Sequence, residues 1–161
     1  MTLRFAILTV SDRSSRGERA DVSGPALVEL VRSRDWEVVG QKIVPDDIEA
    51  IMGALQAWAD SGDADVILAT GGTGFAPRDV TPEAARAVIE RLTPGLDEAM
   101  RYASLQITPH AMLSRAVSGI RKRTLIITLP GSPKGASENL QVVVPALEHA
   151  VKLLREEDAG H

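Results

Sequence analysis

The chain has 161 residues, 44% of them apolar and 25% charged, the balance of a folded globular domain rather than a disordered one. The absence of cysteine excludes disulfides, thiolate zinc sites and thiol catalysis, and it suits a reducing cytosol, the expected location. The net charge of −4 speaks against a broad basic surface for nucleic acid, and the apolar run FAILTV near the N-terminus is too short for a signal or membrane helix. Neither nucleic acid nor a membrane is therefore an expected partner. An anionic ligand would have to be held by local backbone amides and a few placed Arg or Lys. With two Trp, two Phe and one Tyr, the core must be built from Val, Ile, Leu and Ala.

The elements alternate along the chain. RFAILTV at 4–10 reads as a buried strand, followed by a polar loop over 11–23. Gly24-Pro25 opens a helix with Leu27, Leu30 and Val31 on one face. EVVGQKIV at 37–44 is a second strand. Ile48, Ile51, Met52, Leu55 and Trp58 then fall at helical spacing, up to Ser61-Gly62. DVILAT at 65–70 is a third strand that runs straight into glycines. Thr81-Pro82-Glu83 starts a helix with Thr81 as N-cap and Ala85, Val88, Ile89 and Leu92 as its apolar face. Pro94-Gly95 breaks the chain before a helix carrying Leu96, Met100 and Ala103. TLIITL at 124–129 is a fourth strand, and the last helix, 137–154, should be kinked or split by Pro145. The charged segment 155–161 is expected to fray.

Strands separated by helices imply an α/β fold: a mostly parallel sheet with helices on both faces, three layers in α/β/α order, and a single domain spanning 1–161. Ligands of such sheets bind beyond the C-terminal strand ends. The non-routine loops all lie there: Ser11-Asp12-Arg13, the stretch 70–79, and Pro130-Gly131-Ser132-Pro133.

Thr70-Gly71-Gly72-Thr73-Gly74 can cradle an anion, because glycines let successive N–H groups approach a phosphate. A tight strand-to-helix turn needing positive φ is the plainer alternative. The loop fits neither the Walker A pattern nor the dinucleotide fingerprint. In the second loop Ser132 and free amides can donate, and Lys134 adds a charge. Asp12, Asp46 and Asp79 each follow a strand beside these loops, and carboxylates so placed suit Mg²⁺, which takes hard oxygen ligands. Each has a structural alternative. Asp46 can be a helix N-cap with Glu49 three residues on, Asp79 can pair with Arg78 or close an Asx-turn, and Asp12 can cap its own loop. Ser104 and Ser114-Arg115 read as ordinary polar surface on their own, and His110 as a loop residue.

Five segments in order, ILTVSDR, the 70–74 glycine loop, PRDVTPEA at 77–84, MLSR at 112–115 and LPGSPKG at 129–135, closely resemble the molybdopterin adenylyltransferase (MogA/MoaB) family. The resemblance runs from about Arg4 to Leu154. It implies transfer of AMP from ATP to the terminal phosphate of molybdopterin, with Mg²⁺, in a homotrimer that hands its product to a partner protein for molybdenum insertion. Carried over by residue, it makes Asp46, Asp79 and Ser114 catalytic, with Asp46 as the Mg²⁺ ligand. Substrate and phosphate contacts would come from Ser11, Asp12, Thr70, Gly71, Gly72, Thr73, Gly74, Ser104, Arg115, Pro130, Gly131 and Ser132. The competing readings are a MoaB-like paralogue, a molybdopterin-binding module without catalysis, and a flavodoxin-like flavin binder. The last is disfavoured because Trp36 and Trp58 lie away from the candidate loops, leaving only Phe75 nearby.

Overall fold

A computed structural model describes residues 1–157. Its six-stranded sheet has the order β2-β1-β3-β6-β5-β4. The parallel part comprises β1 (Arg4–Val10), β2 (Glu37–Val44), β3 (Val66–Thr70) and β6 (Thr124–Leu129). Side chains alternate across it. Phe5, Ile7, Val66, Leu68, Leu125 and Ile127 face one core, while Ala6, Leu8, Ile67, Ala69 and Ile126 face another. That period of two on a strand buried on both faces is why these segments read as continuous apolar runs. The first core is closed by α2 (Ser23–Ser33), α5 (Pro94–Leu105) and α6 (Pro133–Leu154), and the second by α3 (Ile48–Ser61) and α4 (Thr81–Val88). This is the expected three-layer α/β/α arrangement.

Several local expectations are corrected. Residues 11–23 are not all loop, because Ser11 caps a short helix, α1 (Asp12–Ser15), accepting from Ser14 N at 3.1 Å. The N-cap of α3 is Asp47, whose Oδ2 accepts from Ala50 N at 2.9 Å, so Asp46 is free of that task. Thr81 lies inside α4; its hydroxyl donates to the Gly71 carbonyl at 2.8 Å instead of capping. That helix ends at Val88, and Leu92 belongs to a two-residue strand, β4 (Arg91–Leu92). Pro94 starts α5 and does not merely interrupt the chain. The antiparallel β5 (Ser118–Arg121) is not expected from the sequence, since four residues containing Ser and Gly carry little strand pattern.

The last helix is continuous over 22 residues despite Pro145. Pro145 is exposed, so the Gln141 carbonyl that loses its helical partner can turn to water. Arg155 is anchored, not frayed: it donates to both carboxylate oxygens of buried Asp65, at 2.6 and 3.2 Å, beside Arg4. Glu156 and Glu157 are held as well, Glu156 accepting from Arg123 at 2.6 Å and the Glu157 N–H donating to the Lys152 carbonyl at 2.9 Å, and residues 158–161 of the expected frayed tail lie outside the described residues. No helix among the described residues is long and apolar enough to cross a membrane.

The order β2-β1-β3 makes the chain leave β1 and β3 in opposite directions, which opens a crevice between their C-terminal ends.

Candidate active site

Two cavities open at that end of the sheet. The first, about 550 Å³, is built mainly from loops. Its wall includes Ser11, Asp12, Asp21, Asp46, Gly71, Arg78 and Pro133, and Arg13, Arg16 and Arg19 add positive charge along it. The second, about 470 Å³, adds helix faces to the loops: Asp97, Met100, Arg101 and Ser104 of α5, Glu138 and Asn139 of α6, and His110, Ala111 and Leu113 of the 3-10 turn Pro109–Leu113. Gly72, Asp79, Gly131 and Ser132 line both. The two spaces thus meet at one shared wall.

Glycine is required at the base of that wall. Gly71 has φ +106° and Gly72 φ +67°, so both sit in left-handed conformations. A Cβ on Gly71 would collide with the Val10 carbonyl, and one on Gly72 with the Thr81 hydroxyl and, at 3.1 Å, the Asp46 carboxylate. The turn reading therefore accounts for these two glycines without any ligand. Gly74 keeps an ordinary φ, yet a Cβ there would meet Asp79 Oδ2 at 3.0 Å.

Asp12 and Asp46 are locked together. The Asp12 N–H donates to Asp46 Oδ2 at 3.0 Å, and the Asp46 N–H donates to Asp12 Oδ1 at 2.9 Å. This reciprocal pair joins the loops after β1 and β2 and leaves one oxygen of each carboxylate without a backbone donor. Burial pushes the Asp46 carboxyl above its ordinary value, with repulsion from Asp12 and Asp79 acting the same way against the Asp12 N–H bond. Asp79 Oδ2 accepts from Ala76 N at 2.9 Å, closing its loop backwards and not toward Thr81.

The remaining expected residues divide. Thr70 is fully buried and its hydroxyl donates to the Pro130 carbonyl at 2.6 Å, so that proton ties two loops together and is not offered to an anion. Thr73 and Gly74 line the helix cavity with Ser114, whose Oγ accepts from Ala116 N at 3.3 Å, and Ser104, whose Oγ accepts from Asn139 Nδ2 at 2.7 Å. Ser132 caps α6 by accepting from Gly135 N at 3.0 Å, which sets the N-terminus of a 22-residue helix at the shared wall. Arg115 lines neither cavity, because its guanidinium is engaged by Glu83 and by the Gly74 and Asp79 carbonyls. Lys134 likewise points away, 83% exposed and 3.9 Å from Glu138.

Sequence reasoning missed Asp97, Arg101, Glu138 and Asn139. Asp97 is buried and accepts from Ser118 N at 2.8 Å and Ser118 Oγ at 2.7 Å, which pins α5 to β5; burial still holds its carboxyl above the ordinary value. Arg101 donates to the Ser114 and Ala116 carbonyls at 3.2 and 3.3 Å. The spacing of Asp97, Met100, Arg101 and Ser104 marks one helix face with three polar residues directed inward, a pattern open to detection. Neither cavity is lined by Phe, Tyr or Trp, and Trp36 instead stacks on Phe5 in the core at 5.2 Å between ring centroids. This leaves a flavin ring without an aromatic partner.

Residues 6–149 match the family model described as "Probable molybdopterin binding domain". Gephyrin of Dictyostelium discoideum is 48% identical over 158 residues, covering 92% of this chain but 22% of gephyrin, so the chain spans about a fifth of that relative. Molybdopterin adenylyltransferase of Helicobacter pylori strain J99 is 40% identical over 95% of this chain and 88% of its own length. The crystal structure of the molybdopterin biosynthesis enzyme MoaB from Thermus thermophilus superposes with a TM-score of 0.91 at 49% identity, covering 97% of this chain and 98% of that one.

Proposed function

The chain belongs to the molybdopterin-binding family, and from that premise we propose that it is a molybdopterin adenylyltransferase, moving AMP from ATP to the terminal phosphate of molybdopterin. The single observation that carries the proposal is the wall common to two unlike cavities. A transferase must hold two substrates against one reacting centre, and Gly72, Asp79, Gly131 and Ser132 border both spaces. The loop cavity, with Arg13, Arg19 and Arg78 beside the Arg16–Glu18 pair and with the amides at the start of α6, suits a triphosphate. The helix cavity, with Met100, Ile107 and Leu113 beside Ser104 and Asn139, suits a flat ring system carrying hydrogen-bonding edges.

The chemistry needs no covalent enzyme intermediate. An oxygen of the pterin's terminal phosphate, already anionic, attacks the α-phosphorus of ATP. The bond from that phosphorus to the oxygen bridging to the β-phosphorus breaks, and pyrophosphate leaves with the electron pair. No proton has to be abstracted, so none of the carboxylates in the walls is needed as a base. Catalysis then rests on alignment across the shared wall and on charge neutralisation by Arg side chains and backbone N–H groups.

Mg²⁺ fits this donor set. Asp46 is half-buried and its ionised form is disfavoured by burial and by Asp12 and Asp79, a local negative potential that a divalent cation relieves. Among the described residues no group of three or more His, Asp or Glu gathers as a cage. Mg²⁺ bound by one or two carboxylates plus phosphate and water needs none. Asp46 would hold it, and it would supply charge neutralisation on the phosphates. We further place the reaction in the cytosol, the compartment that holds ATP. The assembly is assigned as a homotrimer, with exposed Tyr102, Ile107 and Met112 offering apolar surface for self-association. The adenylylated product passes to a partner that inserts molybdenum.

The test is incubation with molybdopterin, ATP and Mg²⁺, with detection of adenylylated pterin and pyrophosphate. Pterin binding without AMP transfer would convert the assignment to a binding module. Light scattering at the monomer mass of 17.2 kDa at all concentrations would remove the trimer.

A further inference from the structure

Arg115 stands beside both cavities while lining neither. Its backbone N–H donates to the Thr73 carbonyl at 2.9 Å. Its side chain donates from Nε to the Gly74 carbonyl at 2.7 Å and from Nη2 to the Asp79 carbonyl at 2.6 Å. Nη1 meets both carboxylate oxygens of Glu83, at 2.9 and 3.0 Å. All these contacts fall on the stretch 73–83. Within it residues 75–78 are exposed, so the loop has little apolar burial to hold it and depends on hydrogen bonds. The far end is anchored by Thr81, through N to the Gly72 carbonyl at 3.1 Å and Oγ1 to the Gly71 carbonyl at 2.8 Å. Arg115 supplies the anchor in between.

We propose that Arg115 is a positioning residue for adenylyl transfer: it clamps the 74–79 loop so that Asp79, in the shared wall, keeps a fixed place relative to the adjoining Ser114. This rests on the adenylyl-transfer reading. The consequence is specific, because a side chain that lines neither cavity contributes little to the binding of either substrate alone. Transfer, in contrast, depends on alignment across the wall, where a displacement of about 1 Å can reduce the rate on the order of 100-fold. Lysine cannot replace the clamp. Its ammonium is one compact charge that can pair with Glu83, whereas the planar guanidinium fork reaches the carboxylate and two carbonyls at once.

The experiment compares Arg115→Lys and Glu83→Gln with the wild type after thermal unfolding has shown each to be folded. Arg115→Lys should lower kcat about 100-fold while KM for molybdopterin and for ATP each change by less than about threefold. Glu83→Gln retains Arg115 and a neutral acceptor, so its kcat should fall by less than about tenfold. It reads the same quantities should Arg115→Lys fail to fold. Amide exchange at Ala76, whose N–H is held by Asp79, reads the clamp without any reaction and should accelerate in Arg115→Lys. Wild-type kcat in folded Arg115→Lys, a loss confined to KM, or unchanged exchange at Ala76 overturns the proposal. A wild type that binds pterin and transfers no AMP defeats the adenylyl-transfer reading alone, and the exchange still decides the clamp.

Discussion

The loop cavity and the helix cavity differ in how their walls are made. The loop cavity draws on the chain just after β1, β2, β3 and β6, where consecutive residues such as Ser11-Asp12-Arg13 and Gly71-Gly72 contribute together. The helix cavity draws single residues from turns of α5 and α6, three or four positions apart, each flanked by residues that face elsewhere. A loop site therefore leaves a contiguous motif in the sequence, and a helix site leaves a periodicity that resembles packing. The electrostatics differ too. In the loop cavity carboxylates repel one another around Asp46. In the helix cavity Asp97 is satisfied by Ser118, and Ser104 by Asn139. On the proposed function, the first arrangement would take the cation and phosphates, and the second the pterin ring.

The largest expected effect separates the two regions. Asp46→Asn preserves an oxygen to accept the Asp12 N–H, so the loops stay joined and pterin binding stays normal. The charge is gone, and adenylyl transfer should fall by about three powers of ten, the scale of a lost metal contribution. Radiolabelled AMP transfer measured beside pterin affinity checks this. Wild-type transfer in Asp46→Asn would remove the metal role and leave Asp79 as the leading carboxylate.

Next in size is a change outside both cavities. Asp65 is buried, and although burial alone would raise its carboxyl, the bonds from Arg4 and Arg155 outweigh it and hold the carboxyl below its ordinary 3.8. Asp65→Ala leaves two arginines without their shared partner and should cost about 3 kcal/mol of stability, roughly a 10 °C fall in Tm, with kcat unchanged. The sign of the pH dependence follows from the lowered value. The stabilisation is present above pH 3.8 and is lost as pH falls through the still lower folded value. Urea unfolding from pH 7 down to pH 3 should show this acid-side loss in wild type and not in Asp65→Ala.

β1, β3 and β6 were legible because each is buried on both faces and carries an unbroken apolar run, whereas β2, at the sheet edge and mostly exposed, showed itself by its Val and Ile content. β4 and β5 were not: two and four residues in an antiparallel edge, including Gly119, where a Cβ would press on Ile89, have no pattern long enough to detect. In the site, the glycine loop and the three aspartates were visible as motifs. Their partners were not, because the Asp12–Asp46 exchange spans 34 residues and the Arg115 clamp joins segments 32 to 41 apart. Arg115 shows the limit most clearly. On its own Ser114-Arg115 reads as ordinary polar surface, the anion contact is what the family resemblance implies, and only the fold reveals that the guanidinium is engaged by Glu83 and two carbonyls.

A smaller effect should appear in the helix cavity. Asn139→Ala removes the donor that holds the Ser104 hydroxyl at 2.7 Å and takes a polar edge from the wall. Molybdopterin affinity should drop about tenfold, near 1.4 kcal/mol, with ATP affinity unchanged. Isothermal titration with each ligand separately tests this, and an equal loss for both would mean that the two cavities are not divided by substrate.

The smallest effect concerns two adjacent aspartates with unlike tasks. Asp46 faces the loop cavity, whereas Asp47 is exposed and its carboxylate accepts from Ala50 N at 2.9 Å at the start of α3. Asp47→Ala should therefore cost about 1 kcal/mol of stability and leave transfer untouched, while Asp47→Asn, an equally good cap, should be neutral in both respects. Because α3 packs in the second core through Ala54, Leu55 and Ala59, beyond its first turn, loss of the cap frays one end and does not release the helix. The Asp46 backbone is held independently, by its own N–H on Asp12, so fraying at 47 should not travel back to it. Loss of transfer in Asp47→Ala with restoration in Asp47→Asn would mean that the cap, and not the carboxylate of Asp46, sets the geometry of the loop cavity.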